Sequence, residues 1–194
     1  DPVIVGAARL SDGRFSDGRA GLDLRALNAE LDLTRQGARL TRLQAEDGEG
    51  GVLSGEGRLD IADPIALEAD VTFDRFRLID RDDLDATATG DVRFVLEDGR
   101  GRVTGSAVID RADLSPSGRG RTGVAQIEVT EINRPSGLDP APDRRAGPPI
   151  ALDYQVSAPR RVFVRGPNYD TEWSFDLGIR GTVEDPVLMG EAQL

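Results

Sequence analysis

The stretch Leu84-Asp85-Ala86-Thr87-Ala88-Thr89-Gly90-Asp91-Val92-Arg93-Phe94-Val95-Leu96 decides the fold. Its even positions are apolar or small throughout, and Asp85, Thr87, Thr89, Asp91 and Arg93 fall between them. Side chains of a strand alternate between faces, so a period of two over this length specifies a long strand with one dry face. Ile65, Leu67, Ala69, Val71 and Phe73 repeat the pattern against Glu68, Asp70 and Thr72. Tyr169, Thr171, Trp173, Phe175, Leu177 and Ile179 repeat it against Asp170, Glu172, Asp176 and Arg180. Shorter versions run through Leu31 and Leu33, Val103 to Ile109, Ala125 to Val129, and Ile150 to Val156. No sustained helical period of apolar residues occurs, and the chain reads as all-β.

Turns punctuate these runs. The 194 residues include 23 Gly and 11 Pro, and Ser11-Asp12-Gly13, Ser16-Asp17-Gly18, Asp47-Gly48 and Glu97-Asp98-Gly99 read as tight reversals between antiparallel neighbours. About a dozen strands of roughly 8 to 13 residues follow, and at about 4.8 Å per strand the sheet would extend roughly 60 Å. An open sheet of that breadth curls, splits or repeats as a solenoid. The chain reads as one unit over residues 1–194, a long antiparallel-type β-sheet whose apolar face either lines a thin cavity or packs on itself. Arg134 to Pro149 holds five of the prolines and reads as a loop, since Pro cannot donate to a ladder. Asp1-Pro2-Val3-Ile4-Val5-Gly6-Ala7-Ala8-Arg9-Leu10 matches Asp185-Pro186-Val187-Leu188-Met189-Gly190-Glu191-Ala192-Gln193-Leu194 at six of ten positions, which points to a repeated unit.

Composition removes many functions. The net charge is −11, which argues against nucleic acid as a partner. All 24 basic residues are Arg, and Lys, His and Cys are absent. That leaves no His- or Cys-based catalytic pair and no zinc site of the usual ligands. We expect no enzymatic activity and no cofactor. Gly118-Arg119-Gly120-Arg121-Thr122-Gly123 fits the letter of a dinucleotide fingerprint but leads into the alternating segment Val124 to Glu131, so no helix N-terminus is there to hold a phosphate. Asp80-Arg81-Asp82-Asp83-Leu84-Asp85 gathers carboxylates that could hold a cation, but it lacks the sixth-position Gly of a calcium loop and reads better as a turn entering the next strand. Phe163, Tyr169, Trp173 and Phe175 read either as core or, for Tyr169, Trp173 and Phe175, as one side of an apolar groove. The residues expected on that groove are Leu67, Val71, Phe73, Leu84, Val92, Phe94, Tyr169, Trp173, Phe175, Leu177 and Ile179.

Ala158-Pro159-Arg160-Arg161-Val162-Phe163-Val164-Arg165-Gly166, then Tyr169-Asp170-Thr171-Glu172, then Gly181-Thr182-Val183-Glu184-Asp185-Pro186-Val187-Leu188-Met189-Gly190, resemble the C-terminal conserved region of the TamB family. Phe76 to Leu84 with the later Gly90 is similar to a repeat element of that family, and Pro167-Asn168-Tyr169 departs from the basic-glycine-apolar turn usual there. The resemblance implies an AsmA-like protein of the periplasm, anchored in the inner membrane of a Gram-negative bacterium, whose fold is a β-taco: a long, curled, antiparallel-type β-sheet with an apolar concave face. It implies as partner a TamA-like outer-membrane barrel. It further implies passage of phospholipid along the concave face or, alternatively, a scaffold for assembling outer-membrane proteins such as autotransporters.

Overall fold

A computed structural model describes residues 5–115 and 149–194. Among them the chain forms β1 (Gly6–Asp17), β2 (Leu22–Thr34), β3 (Gly37–Glu46), β4 (Val52–Asp60), β5 (Ala66–Asp80), β6 (Leu84–Glu97), β7 (Arg100–Leu114), β8 (Ile150–Gly166), β9 (Tyr169–Thr182) and β10 (Pro186–Gln193). They make one open ten-stranded sheet whose spatial order follows the chain order. No described residue is helical. The described residues hold ten strands against the expected dozen or so, and the segment at Ala125 to Val129 lies outside them. So do Gly118 to Gly123 and, Pro149 excepted, the Pro-rich stretch 134–149.

Local chemistry sets the reversals. Asp17 closes the β1–β2 turn, with Oδ1 accepting from Arg19 N at 2.8 Å and its carbonyl accepting from Gly21 N at 2.8 Å. Asp98 and Gly99 have φ of 50° and 68°, the pair of left-handed residues that a two-residue type I′ hairpin requires. Two expectations need correction. Ser11-Asp12-Gly13 is not a turn but a bulge inside β1, between the pairs Leu10 with Ala29 and Gly13 with Leu27; Asp-Gly tolerates positive φ in either setting. The sheet is also not antiparallel throughout, because β7 and β8 run parallel, from Gly101 beside Ile150 to Leu114 beside Val164. A parallel pair needs a connection of a dozen or more residues, which residues 116–148 supply.

The register carries a second pattern. Extra residues sit at Ser11-Asp12 in β1, Ala26-Leu27 in β2, Asp74-Arg75 in β5, Asp110 in β7 and Pro159 to Arg161 in β8. Followed from partner to partner, these bulges lie in one row across the sheet; two more, at Thr41-Arg42 in β3 and Leu78 in β5, lie off it. β6 and β9 cross the row without an insertion, whereas β3, β4 and β10 stop at it. The sheet therefore has a half of ten strands on one side of the row and a half of seven on the other. Where β3 and β4 drop out, β2 and β5 close the gap directly, with Asp80 N donating to Gly21 O at 2.7 Å. Removing two strands from one half and stitching the edges together forces a flat sheet to curl.

Packing follows the row. The buried apolar residues are Ala29, Ala45, Phe73, Phe76, Ala86, Ala88, Ala107, Ala112 and Ala158, all within a few residues of a bulge. Phe76 is the largest fully buried side chain. It lies with Phe73, Ala88 and Ala107 in a cluster covered by Leu22, Leu24, Leu53, Leu78, Val92, Ile109 and Tyr154. Seven alanines among nine buried residues show how little room the inside of the bend leaves for larger groups.

Candidate functional site

The pairing places all the expected groove residues on one face. Leu67 pairs with Leu96, Val71 with Val92, Phe73 with Gly90, and Phe94 with Ala69 and Val103. Leu84 pairs with Leu114, on the same face as Ala86 beside Ala112. Across the parallel junction the face continues through Leu152, Tyr154 and Val156, and then through Ile179, Leu177, Phe175, Trp173 and Tyr169. The row of bulges divides them. Leu67, Val71, Phe73, Val92, Phe94, Phe175, Leu177 and Ile179 lie on the ten-stranded half, and Leu84, Trp173 and Tyr169 on the seven-stranded half.

Depth varies along this face. Phe73 is buried, whereas Leu67, Val71, Leu84, Val92, Phe94, Trp173, Phe175, Leu177 and Ile179 are half-buried and Tyr169 is 45% exposed. β2 and β5 aside, no strands other than sheet neighbours share more than marginal contact. All described strands belong to this one sheet, so among the described residues no separate sheet or helix lies on the apolar face. Rings fill the gaps left by glycine instead. A methyl group on Gly90 would stand 3.0 Å from Phe73 Cζ, and one on Gly105 2.9 Å from Tyr154 Cε2. Tyr154 was not among the residues singled out above, although its place in the Ile150, Leu152, Tyr154, Val156 alternation carried the signal. Its hydroxyl donates to Asp91 O at 2.9 Å, and burial, with the Asp91 charge, pushes its phenol up to about 12. The Trp173 indole N–H donates to Thr171 Oγ1 at 3.0 Å, so its polar atom is satisfied on the apolar face.

Phe163 belongs elsewhere. Its partners are Asp113 and Glu172, on the polar face. The Arg165 and Arg111 guanidiniums lie 4.5 and 5.3 Å from its ring centroid, and Asp113 accepts from both arginines at 2.6 Å. The carboxylates around 80–85 are likewise met by arginine. Arg77 donates to Asp85 Oδ2 at 2.6 Å and pairs with Asp80 at 3.1 Å and Glu49 at 2.9 Å. Arg81 pairs with Asp83 at 2.7 Å. The turn reading of this cluster fits that geometry, and among the described residues no group of His, Cys, Asp or Glu is arranged to hold a metal ion.

One carboxylate is buried. Asp47, 7% exposed, accepts from Glu49 N at 2.7 Å and Gly51 N at 2.9 Å through Oδ1, and from Arg77 N at 2.9 Å through Oδ2. Burial alone would raise its pKa, but the N–H groups of Glu49, Arg77 and Gly51 outweigh it and hold the carboxyl below its ordinary value. It ties the β3–β4 turn to β5 where the two strands drop out.

The described residues thus form a single open sheet, apolar on one face and polar on the other, with a row of bulges across it. The family model that matches it is the TamB C-terminal domain, over residues 41–194. The chain belongs to the TamB family. Comparison with the curated proteins and with the solved structures gave no match. TamB membership brings a role in outer-membrane assembly, alongside an outer-membrane partner, for a periplasmic segment of an inner-membrane-anchored protein. No helix among the described residues is long and apolar enough to cross a membrane. The TamB match includes every expected groove residue and the Asp47 turn, and begins within β3.

Proposed function

We propose that this TamB domain carries phospholipid acyl chains on the apolar face of its sheet, without enzymatic chemistry or a cofactor. The observation that supports the reading is a continuous apolar face whose large side chains are mostly half-buried and on which no other described element lies. Burial of an acyl chain there contributes about 0.8 kcal/mol per CH₂, and strict alternation keeps the other face wet. Native mass spectrometry on protein purified from a membrane-containing lysate tests it. Phospholipid should accompany the wild type and the polar-face variant Val95→Arg, and be lost from Phe94→Arg. A folded wild type free of lipid would overturn the reading.

A second reading has its own observation. All eight residues of β10 are exposed, and this strand, at the sheet edge among the described residues, holds one charged residue, Glu191, and no bulge. The opposite edge, β1, is blunted by its bulge and by Arg9, Asp12, Arg14 and Asp17. An unguarded edge suits strand addition by an outer-membrane protein client or a TamA-like barrel. Met189→Lys should abolish such pairing while leaving bound lipid unchanged.

A further inference from the structure

We infer that the row of bulges is a crease that sets the angle between the two halves of the sheet, and so the gape of the apolar face. Five of the seven strands that cross the row carry an extra residue on it, against two bulges elsewhere, at Thr41-Arg42 in β3 and Leu78 in β5. Four of the five non-glycine residues with positive φ also sit on it: Asp12 at 51°, Ala26 at 46°, Arg75 at 46° and Arg161 at 69°. Left-handed backbone at ordinary residues is costly and persists only where its surroundings hold it. Here neighbouring strands do so. Asn28 Oδ1 accepts from Asp12 N at 3.2 Å, Thr89 Oγ1 from Arg75 N at 2.9 Å and Glu172 Oε1 from Arg161 N at 3.1 Å. The Thr89 hydroxyl then donates to Asp110 Oδ2 at 2.8 Å, joining the bulges of β5 and β7 through β6. Each extra residue bends its strand and increases its twist. Aligned bends add up to a fold line, whereas scattered ones would only roughen the sheet. The buried alanines lie beside that line on the apolar face.

The inference concerns shape, and holds whatever guest the face carries. The chain has no Cys, so the paired variants Ile65→Cys and Asp82→Cys place two spin labels at the exposed ends of β5, one beyond each half. An unbent strand at about 3.4 Å per residue would hold them roughly 55 Å apart. Pulsed electron paramagnetic resonance should give a distance shorter by about 10 Å or more. Arg75→Gly tolerates positive φ and should keep that distance. Arg75→Val, whose branched side chain resists it, should lengthen or broaden it by several Å. Thr89→Val removes the cap at nearly constant volume and should broaden it as well, and serves if Arg75→Val fails to fold. A wild-type distance near the unbent value would overturn the inference. So would an unchanged distribution in folded Thr89→Val.

Discussion

Replacing Asp47 tests whether the closure between β2 and β5 depends on one carboxylate. In Asp47→Ala the N–H groups of Glu49, Gly51 and Arg77 lose their acceptor. Hydrogen bonds to a charged group contribute about 1.5–3 kcal/mol each. Glu49 N is near solvent and recovers most of its bond from water, and removing a buried charge recovers desolvation, so the net loss should be about 3 kcal/mol. With a urea slope of about 2 kcal/mol/M, the midpoint falls by about 1.5 M. Asp47→Asn keeps one acceptor oxygen and should lose about half as much. The pH dependence supplies an independent check. The folded carboxyl titrates below the ordinary aspartate value, so its contribution is fully present above that ordinary value and disappears as pH falls through the lower, folded pKa. Urea curves for wild type and Asp47→Asn should therefore lie apart at pH 7 and converge as pH drops below about 4. An Asp47→Ala variant within about 0.5 kcal/mol of wild type at pH 7 would refute the reasoning, since only a surface site behaves so.

Two further substitutions probe the faces separately. Gly105→Ala should destabilise by more than about 2 kcal/mol in urea, because Gly105 has φ of 137° and its new methyl would meet Asp91 and the Tyr154 ring at 2.9 Å. Phe163→Ala should cost about 1 kcal/mol from its two cation–π contacts and leave co-purified lipid unchanged; loss of lipid would mean that the polar face also takes part.

Alternation made the strands and their apolar face legible, because a period of two survives wherever one face is buried. Leu84 to Leu96, Leu67 to Phe73 and Tyr169 to Ile179 are strands on a common face for that reason. Phe163 was readable by the same rule, since Val162 and Val164 flank it and take the apolar side. Three features carried no such mark. Strand direction leaves no trace in periodicity, so the parallel pairing of β7 with β8 was hidden. Bulges at Ala26, Arg75 and Arg161 use residues that do not announce left-handed backbone. The role of Asp47 depends on Arg77, thirty residues away, whose N–H reaches it only after β3 and β4 stop short.

Those hidden features decide what the legible face can do. A flat one-faced sheet of ten strands would expose apolar area without limit and invite a second sheet onto it. Dropping β3 and β4 from one half, stitching β2 to β5 and bending the remaining strands along one row turns that plane inward. Alanine fills most of that row, and Phe73 and Phe76, on either side of the β5 bulge, are the two large side chains buried along it. Leu67, Val92 and Phe94 on one half and Leu84 and Trp173 on the other are thereby left half-buried. A few methylenes of a proposed acyl chain suffice to complete their burial, at about 0.8 kcal/mol each, without any side chain designed for one head group. An apolar surface so distributed favours a guest that slides over one that docks, and a charge at Phe94 should stop passage more completely than the loss of that ring alone.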